Sequence, residues 1–522
     1  MSGHYFVTTP IYYANAEPHI GHTYTTVVVD TLVRWHRMRG ETAFSVSGTD
    51  EHGEKMVEAA AARGVPPAVF TERVSATHQR TWTELGLQAG RFVRTTDPDH
   101  VRNVQAVLQR VYDAGWIELR EYEGLYCVGC ERFLTERDLV DGLCPDHERA
   151  PEPRRESNYF FLMSREFGWL RRWIEEHPDS IRPARYRNEA LAMLRDESGL
   201  GDLSISRPKS RLAWGVELPF DRAHVCYVWF DALLSYLTGA GYDGAAARQS
   251  ETFEARWANA EHLIGKDILK PHAIFWPIML KAIGLPPYRR LSVHGYWNVD
   301  DRKVSKSLGN MVSPLAMRDR YGFEAFRWFL LREMSFGLDA SFGEGALVER
   351  VNAELAHNVG NLVSRTLNLV EKLCDGAVPD PGDGDPEFAS VTAEPTAARV
   401  DEALANLQPH VALAALLELS TRVNRYLDAR APWKLAKDPA TRALACATLH
   451  HACNALRVLA LLLAPFVPQA AQALAERLGE PALLERPDWP DEAADFTRVP
   501  AGRRIARGAP LFPRLEAPAA DD

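Results

Sequence analysis

The tetrapeptide HIGH at residues 19–22 lies between a strand-like run and a run with helical spacing. The run before it, residues 5–9, is apolar and rich in β-branched residues, and the run after it covers residues 24–37. The start of a helix presents backbone N–H groups and the positive end of the helix dipole, which together bind polyphosphates well. The placement of this motif therefore predicts a nucleotide-binding turn within an α/β fold.

A second polar motif, KVSKS at residues 303–307, follows a strand-like run at 291–293. Two lysines three positions apart, separated by small hydroxyl residues, form an arm that can neutralise charge on a reacting triphosphate. Most Lys/Ser runs are solvated loops, and most isolated histidine pairs are surface residues. The presence of both motifs in one chain favours the nucleotide-binding interpretation.

The composition argues against some classes of protein but does not identify one. The net charge is −10, so the chain has no global basic character, and nucleic-acid binding would need a local basic face. The most apolar segment, residues 455–467, is short and contains Arg457 and Pro465, so we predict a buried helix rather than a membrane span. The N-terminus has no basic signal-like segment, and we expect a cytoplasmic protein without membrane association.

Three of the seven cysteines cluster with a histidine. Cys127 and Cys130 form one CxxC pair, and Cys144 and His147 form a second pair after thirteen intervening residues. This spacing predicts one tetrahedral zinc site, and four protein ligands leave no open position, so we expect a structural metal. A redox CxxC motif is the weaker interpretation, since no thioredoxin-like helix follows. We predict that the remaining cysteines are small core residues: Cys226, Cys374, Cys446 and Cys453.

The finer sequence resembles the methionyl-tRNA synthetases, a family of class I aminoacyl-tRNA synthetases. Besides HIGH and KVSKS, the resemblance depends on five segments in family order: IYYAN (11–15), GTDEHG (48–53), YVWFDA (227–232), GKDI (265–268) and APWK (431–434). It covers most of the chain. Two departures are Val304, where the family usually has methionine, and Leu233, where some members have proline.

The resemblance implies ATP-dependent attachment of methionine to elongator and initiator methionine tRNAs through a methionyl-adenylate, with Mg²⁺ bound to ATP. It also implies an α/β fold in which a zinc-containing insertion splits a Rossmann-like parallel sheet, followed by an all-α anticodon-binding bundle. We predict the following boundaries: catalytic domain, first half, 1–116; connective insertion, 117–224; catalytic domain, second half, 225–295; linking domain with KVSKS, 296–347; anticodon-binding domain, 348–522.

The same resemblance implies roles for individual residues. The ATP-binding residues would be His19, Gly21, His22, Gly265, Asp267, Lys303 and Lys306, with the two histidines and two lysines acting in catalysis. The methionine pocket would contain Ile11, Tyr13, Asp50, Trp229, Leu233, Tyr236, Ile268 and His272, with Asp50 on the α-ammonium group. The anticodon would be read by Asn361, Arg365, Pro432 and Trp433.

Each of these roles competes with a simpler one. Any single apolar pocket residue is more commonly core packing, and Trp433 would otherwise be bundle packing. Asp267 could also be a helix N-cap, which is compatible with a role in ATP binding. Three arginines on one predicted helix are candidates for phosphate contacts, although a solvated face is the more common arrangement: Arg422, Arg425 and Arg430.

Other classes of protein remain as alternatives. A synthetase for leucine or valine would need a large editing domain in the insertion, which the insertion is too short to hold. A nucleotidyltransferase that does not act on tRNA would not need the zinc knuckle or the long helical half. A catalytically inactive RNA-binding protein would not need intact HIGH and KVSKS motifs. No β-rich dimerisation module follows the bundle, and we expect a monomer.

Overall fold

A computed structural model describes residues 3–87, 89–128, 132–134, 138–145, 148–196, 200–299, 302–303, 311–485 and 488–516. The chain forms two units. The first contains residues 4–25 and 44–295, and the second contains residues 1–3, 26–43 and 296–522.

The first unit is built on a six-stranded sheet. The strands up to residue 295 are β1 (His4–Tyr13), β2 (Thr42–Asp50), β3 (Arg91–Arg94), β4 (Ile117–Cys127), β5 (Arg132–Leu134), β6 (Glu152–Phe161), β7 (Ile181–Arg182), β8 (Leu203–Ser204), β9 (Ser206–Pro208), β10 (His224–Cys226), β11 (Ala260–Gly265) and β12 (Arg290–His294). The order in the large sheet is β3-β2-β1-β11-β12-β7, and the pairs β2–β3, β1–β11, β11–β12 and β12–β7 are parallel. This arrangement confirms the predicted parallel α/β fold.

The register places the ends of the central strands together. Thr8 of β1 lies opposite His262 of β11, and Gly265 at the end of β11 lies opposite His294 at the end of β12. The central strands are buried on both faces, which explains their continuous apolar and β-branched sequence. Ligands of open α/β sheets bind beyond the carboxyl ends of the strands, and residues following β1, β2 and β11 therefore define the candidate site.

Helices flank this sheet: α1 (Ile20–Met38), whose first residues belong to this unit, α2 (Glu54–Ala61), α3 (Pro67–Glu84), α4 (Pro98–Asp113), α5 (Phe167–Glu176), α6 (Ala184–Arg195), α7 (Val228–Ala240), α8 (Glu251–Trp257) and α9 (Trp276–Ile283). A 3-10 turn (Lys266–Ile268) and a π-helical segment (Pro271–Phe275) connect β11 to α9. Phe6, Val46, Ile264 and Trp276 are fully buried in one continuous core. The sheet and helices α4 to α9 thus share a single apolar interior.

The region after residue 116 contains a separate antiparallel sheet. Its order is β5-β4-β6-β8, and β4 pairs with β6 from Ile117 opposite Phe161 to Tyr126 opposite Glu152. The expectation that the main fold resumes at residue 225 is wrong for the strand found there, because β10 pairs antiparallel with β9. The large sheet resumes earlier, with β7, which pairs with β12 although it lies inside the predicted insertion 117–224. The sequence of a short apolar run does not show which other strand the run will pair with.

The second unit combines a small sheet with a helical bundle. Strands β13 (Trp297–Val299), β14 (Arg302–Lys303) and β15 (Ala340–Phe342) form the sheet. The helices are α10 (Pro314–Tyr321), α11 (Phe323–Glu333), α12 (Glu344–Arg350), α13 (Asn361–Cys374), α14 (Phe388–Thr392), α15 (Thr396–Ala405), α16 (Pro409–Arg430), α17 (Pro432–Leu435), α18 (Arg442–Leu463), α19 (Pro468–Arg477) and α20 (Trp489–Ala494). A π-helical segment (Val351–Gly360) joins α12 to α13.

The helices from α12 onward confirm the expected all-α bundle. One prediction needs correction: α1 begins at Ile20, inside HIGH rather than after it. The segment 375–395 contains the short helix α14. Cys226 and Cys453 are buried as predicted, but Cys374 and Cys446 are only half-buried. Burial and the neighbouring Cys446 raise the pKa of Cys374 to about 11.

Within the described residues, α18 is long and apolar enough to cross a membrane by length and composition alone. Its apolar stretch is 89% buried inside the protein, and Leu456 and Leu459 have no exposed surface. Residues 455–467 are buried as predicted, and those up to Leu463 belong to the core helix α18.

Candidate functional site

The first turn of α1 contains the HIGH residues. The His19 carbonyl accepts a hydrogen bond from the Thr23 N–H at 2.9 Å, and His19 Nδ1 accepts one from the Gly21 N–H at 3.1 Å. His19 is therefore the N-cap of α1, and in its neutral form the N–H donor of its ring is Nε2. A Cβ atom at residue 21 would lie 3.0 Å from the His19 ring, so glycine allows the ring to lie over the helix start.

His22 lies among other rings. Its centroid is 3.8 Å from His19, 4.5 Å from Tyr12 and 5.7 Å from His78. Burial lowers the pKa of His22 well below its usual value, with further contributions from His19 and His78. At neutral pH the His22 ring is therefore uncharged, and it contributes a hydrogen-bonding N–H rather than a positive charge.

Aromatic side chains form a cluster beyond β1 and beside β11. The Trp229 ring is 6.5 Å from Tyr13 and 6.3 Å from His272, and both contacts are edge-on. Tyr236 and His272 have ring centroids 5.7 Å apart. The His272 Nδ1 lies 2.8 Å from the Ile268 carbonyl oxygen. The structure thus brings together five of the eight residues predicted for the methionine pocket.

Hydrogen bonds define the protonation of this cluster. Burial lowers the pKa of His272 to about 4, so the ring is neutral at pH 7. Its Nδ1–H donates to Ile268, which leaves Nε2 to accept the Tyr236 hydroxyl at 2.7 Å. Burial raises the pKa of Tyr236 well above its usual value, and Tyr12 and Asp50 raise it further. The wall is therefore aromatic and uncharged, which suits an apolar thioether.

The remaining predicted pocket residues have different surroundings. Asp50 is the last residue of β2 and is 5% exposed. The Asp50 carboxylate is close enough to Tyr236 to raise the pKa of its hydroxyl. Ile11 lies in β1, where its Cγ2 would be 2.9 Å from a Cβ at Gly48. Leu233 is buried within the core of the first unit. Asp50 is therefore close to the aromatic cluster, whereas Leu233 lies on α7 and packs in the apolar core.

Sequence reasoning missed a buried triad that supports the segment after Asp50. The Asp231 carboxylate is fully buried and lies 2.6 Å from His52 Nδ1 and 2.8 Å from His100 Nε2. Burial alone would raise the pKa of Asp231, but the two histidines lower it to about 2. His52 and Asp231 lie in the segments GTDEHG and YVWFDA, but neither segment indicates that the two side chains meet.

Gly265 and Asp267 lie where β11 ends. A Cβ atom at Gly265 would lie 2.7 Å from Asp267 Oδ1, so glycine permits this carboxylate to approach the strand end. Asp267 is exposed and lies within the 3-10 turn Lys266–Ile268 rather than at its N-cap. The N-cap position of this turn belongs to Gly265.

Four predicted residues are described in part or not at all. Lys306, Cys130 and His147 lie outside the described residues, and Lys303 is described only as a backbone position in β14, opposite Asn298. In the part of the insertion that the structure describes, Cys127 and Cys144 are both buried and pack against Leu134. Across the described ranges, no group of three or more His, Cys, Asp or Glu side chains could hold a metal ion.

A second candidate site lies in the bundle, on α13 and the turn between α16 and α17. Arg365 Nη2 donates to Asp428 Oδ1 at 2.6 Å, and its guanidinium lies 5.6 Å from the Trp433 ring. Asn361, one turn earlier on α13, donates to Asn424 at 3.3 Å. Pro432 is buried and begins α17. The structure thus places Asn361, Arg365 and Trp433 on one face.

Two of the three arginines considered for phosphate contacts have other partners. Arg422 donates to the Val391 carbonyl at 3.1 Å and to Glu394 at 3.0 Å, and Arg430 binds Asp385. Both are half-buried and attach the 375–395 segment to α16, whereas Arg425 is exposed. The solvated-face interpretation is therefore wrong for Arg422 and Arg430.

Comparison with known proteins agrees with this geometry. Residues 5–150 and 147–367 match the family described as tRNA synthetases class I (M), and residues 379–522 match the anticodon binding domain of methionyl tRNA ligase. The parallel sheet with HIGH at its helix start, followed by a helical anticodon-binding domain, is the fold of a class I aminoacyl-tRNA synthetase.

Individual relatives show which family of class I synthetases the chain resembles. The methionine–tRNA ligase of Deinococcus radiodurans is 45% identical over 531 residues, which cover 99% of this chain and 75% of that protein. The methionine–tRNA ligase of Streptomyces coelicolor is 41% identical, with 98% and 97% covered. The Mycobacterium tuberculosis methionyl-tRNA synthetase in complex with methionyl-adenylate superposes with a TM-score of 0.91 at 38% identity, covering 98% of this chain and 100% of that one. The chain belongs to the methionyl-tRNA synthetase family.

Proposed function

We propose that this chain activates methionine with ATP and transfers it to elongator and initiator methionine tRNAs. The observation that supports this function most directly is the uncharged wall of Tyr13, Trp229, Tyr236 and His272 beside the buried Asp50. An apolar wall next to a carboxylate fits an amino acid with a thioether side chain and an α-ammonium group. Family membership gives the reaction class.

In the activation step, the methionine carboxylate attacks the α-phosphorus of ATP, a new carboxyl–phosphate bond forms, and pyrophosphate leaves. The carboxylate is already ionised at neutral pH, so this step needs no general base. Mg²⁺ enters with ATP and neutralises phosphate charge. The protein's contribution is then the positioning of two substrates and electrostatic stabilisation of the leaving group.

The start of α1 supplies donors for the triphosphate. The Gly21 N–H donates to Nδ1 of His19, which assigns the ring N–H of neutral His19 to Nε2, and the neutral His22 ring lies beside it at 3.8 Å. We propose that these two histidines bind the phosphates of ATP and that Lys303 and Lys306 supply positive charge. The ribose is assigned to Gly265 and Asp267, since the exposed Asp267 carboxylate lies at the end of β11 and can accept hydroxyl hydrogen bonds.

Methionine recognition depends on shape, because apolar contacts alone discriminate by only about 1–3 kcal/mol per methylene group. The hydrogen bonds of Tyr236 to His272 and of His272 to Ile268 fix the wall in one arrangement. Asp50 binds the α-ammonium group and orients the carboxylate. Ile11 and Leu233 complete the pocket in this proposal.

We assign tRNA recognition to Asn361, Arg365, Pro432 and Trp433. A half-buried indole beside a guanidinium is suited to stacking an unpaired base, and the amide of Asn361 is suited to a base edge. The proposal includes a monomeric protein that acts in the cytoplasm.

A structural zinc ion is also part of the proposal. The two described ligands fit it: the Cys127 and Cys144 side chains are buried in the same small cluster, as the closed site of a structural zinc requires. Cys130 and His147 would complete the set. Metal analysis of the purified protein should find one zinc per chain, and Cys144→Ser should reduce it. Equal zinc in both proteins would contradict the assignment.

Charging of tRNA tests the proposed function. Labelled methionine should become attached to methionine tRNA in the presence of ATP, and removal of either ATP or tRNA should abolish the product. Attachment of a different amino acid, or adenylate formation without any charging, would contradict the proposal.

A further inference from the structure

Asp385 lies in the 375–395 segment, and its side chain has no exposed surface. Asp385 Oδ2 accepts hydrogen bonds from Arg430 Nε at 2.6 Å and from the Tyr426 hydroxyl at 2.7 Å. Asp385 Oδ1 also accepts from Arg430 Nη2, so the ion pair is bidentate. Burial alone would raise the pKa of Asp385, but hydrogen bonds from Arg430 and Tyr426 lower it, so the group is a carboxylate at neutral pH.

The backbone around Asp385 is attached to a second helix of the bundle. The Asp385 N–H donates to His451 Nε2 on α18 at 3.2 Å. Phe388 stacks on His451 at 4.5 Å and lies 5.4 Å from Tyr426. Asp385 therefore connects the two helices: its carboxylate binds the end of α16, and its backbone N–H binds α18.

The residue that Asp385 binds directly precedes the proposed anticodon-binding turn. Arg430 is the last residue of α16, and Ala431 follows with a φ angle of +46°. A left-handed conformation at a residue other than glycine persists only where its surroundings hold it. The Ala431 carbonyl accepts from the Lys434 N–H at 2.7 Å, which starts α17 and sets the direction of Trp433.

The last turn of α16 is held on two sides. Asp428 faces Arg365 on α13, whereas Tyr426 and Arg430 face Asp385. We propose that Asp385 is a positioning residue for tRNA recognition, which fixes the end of α16 and thereby the direction of Trp433 without contacting tRNA. This inference rests on the anticodon-binding role proposed above for Trp433.

The test is Asp385→Asn, which keeps the shape of the side chain and removes its charge. The KM for tRNA in the charging reaction should rise about tenfold, because a small displacement of a binding group costs much of its contribution. The kcat of charging and the rate of methionine-dependent ATP–pyrophosphate exchange should stay within about twofold of the original. A purely structural role would instead reduce exchange and charging together.

Asp495→Asn is the matched control. Asp495 accepts from Arg498 Nε at 2.6 Å and from the Thr497 hydroxyl at 2.6 Å, the same donor types that Asp385 uses, and these donors are its own sequence neighbours. Its replacement should leave the tRNA KM unchanged. Combining Asp385→Asn with Arg430→Gln should raise the KM for tRNA no further than either single change, since both changes remove the same Asp385–Arg430 ion pair. Additive increases would overturn the proposal.

Trp433→Ala, measured in parallel, separates this proposal from the one on which it depends. A higher tRNA KM for Trp433→Ala with an unchanged KM for Asp385→Asn would overturn the positioning role and leave the anticodon assignment standing. An unchanged KM for Trp433→Ala would overturn both. If Asp385→Asn does not fold, Tyr426→Phe removes one hydrogen bond to the same carboxylate. A raised tRNA KM in that variant supports the proposal, and an unchanged KM overturns it.

Discussion

The Tyr236 hydroxyl donates a 2.7 Å hydrogen bond to Nε2 of His272, and the opposite ring nitrogen of His272 donates to the Ile268 carbonyl. Because burial keeps the imidazole neutral, this chain of two hydrogen bonds holds the aromatic wall of the pocket in one arrangement without placing a charge there. The selectivity for methionine in our account depends on that rigidity.

Replacing Tyr236 with phenylalanine should therefore impair methionine recognition. The change leaves the buried Nε2 of His272 without its donor, and such a loss costs about 1–3 kcal/mol. We expect the KM for methionine in ATP–pyrophosphate exchange to rise about tenfold, with little change in the KM for ATP. Tyr242→Phe is the control, since that hydroxyl accepts from Arg110 instead. Equal effects of the two changes would argue against the pocket assignment.

Lys306→Ala should slow adenylate formation. The proposed lysine neutralises charge that develops as pyrophosphate leaves, so its loss should lower the exchange rate by roughly 100-fold or more. Binding of methionine, measured by calorimetry in the absence of ATP, should change little. Lys209→Ala is a suitable control because Lys209 pairs with Glu217. An equally large loss of methionine binding would contradict the role given to Lys306.

Trp433→Ala should damage tRNA charging much more than amino-acid activation. Stacking of a base on an aromatic ring contributes about 1–3 kcal/mol, which corresponds to a rise in tRNA KM of roughly 5- to 150-fold. The ratio of charging to exchange in a single preparation measures this effect independently of protein yield. A parallel loss of both activities would indicate that Trp433 maintains the fold.

The buried histidines predict a pH dependence of stability. Burial lowers the pKa of His78 to about 4, against an ordinary value near 6.5. Between these values the unfolded chain binds a proton that the folded chain does not, so stability falls as the pH falls from 6.5 to 4. His78→Gln should reduce this slope by up to about 1.4 kcal/mol per pH unit. Urea unfolding at pH 7 and pH 5 measures the difference, and parallel curves for both proteins would contradict it.

The sequence predicted local features better than distant partnerships. The strand β1 and the central helix α18 follow from apolar runs in the sequence, because the pattern is contained within each element. The cap formed by His19 was not predicted, and α1 consequently begins earlier than expected. An N-cap histidine is not among the residues that ordinarily signal a helix start.

Partnerships across the chain could not be predicted in the same way. Asp231 meets His52 and His100 from 179 and 131 residues away, and Asp385 meets Arg430 from 45 residues away. The periodicity of neighbouring residues in the sequence does not indicate such distant pairs. The family resemblance predicts Tyr236 and His272 as pocket residues, whereas the hydrogen bond between them and the tautomer of His272 required the structure.

The central claim is that the aromatic wall beside Asp50 selects methionine for reaction with ATP. Amino-acid-dependent ATP–pyrophosphate exchange, measured separately with each of the twenty amino acids, tests it most directly. Our account predicts strong exchange with methionine and little with leucine or isoleucine. Stronger exchange with another amino acid, or no exchange with any, would contradict it.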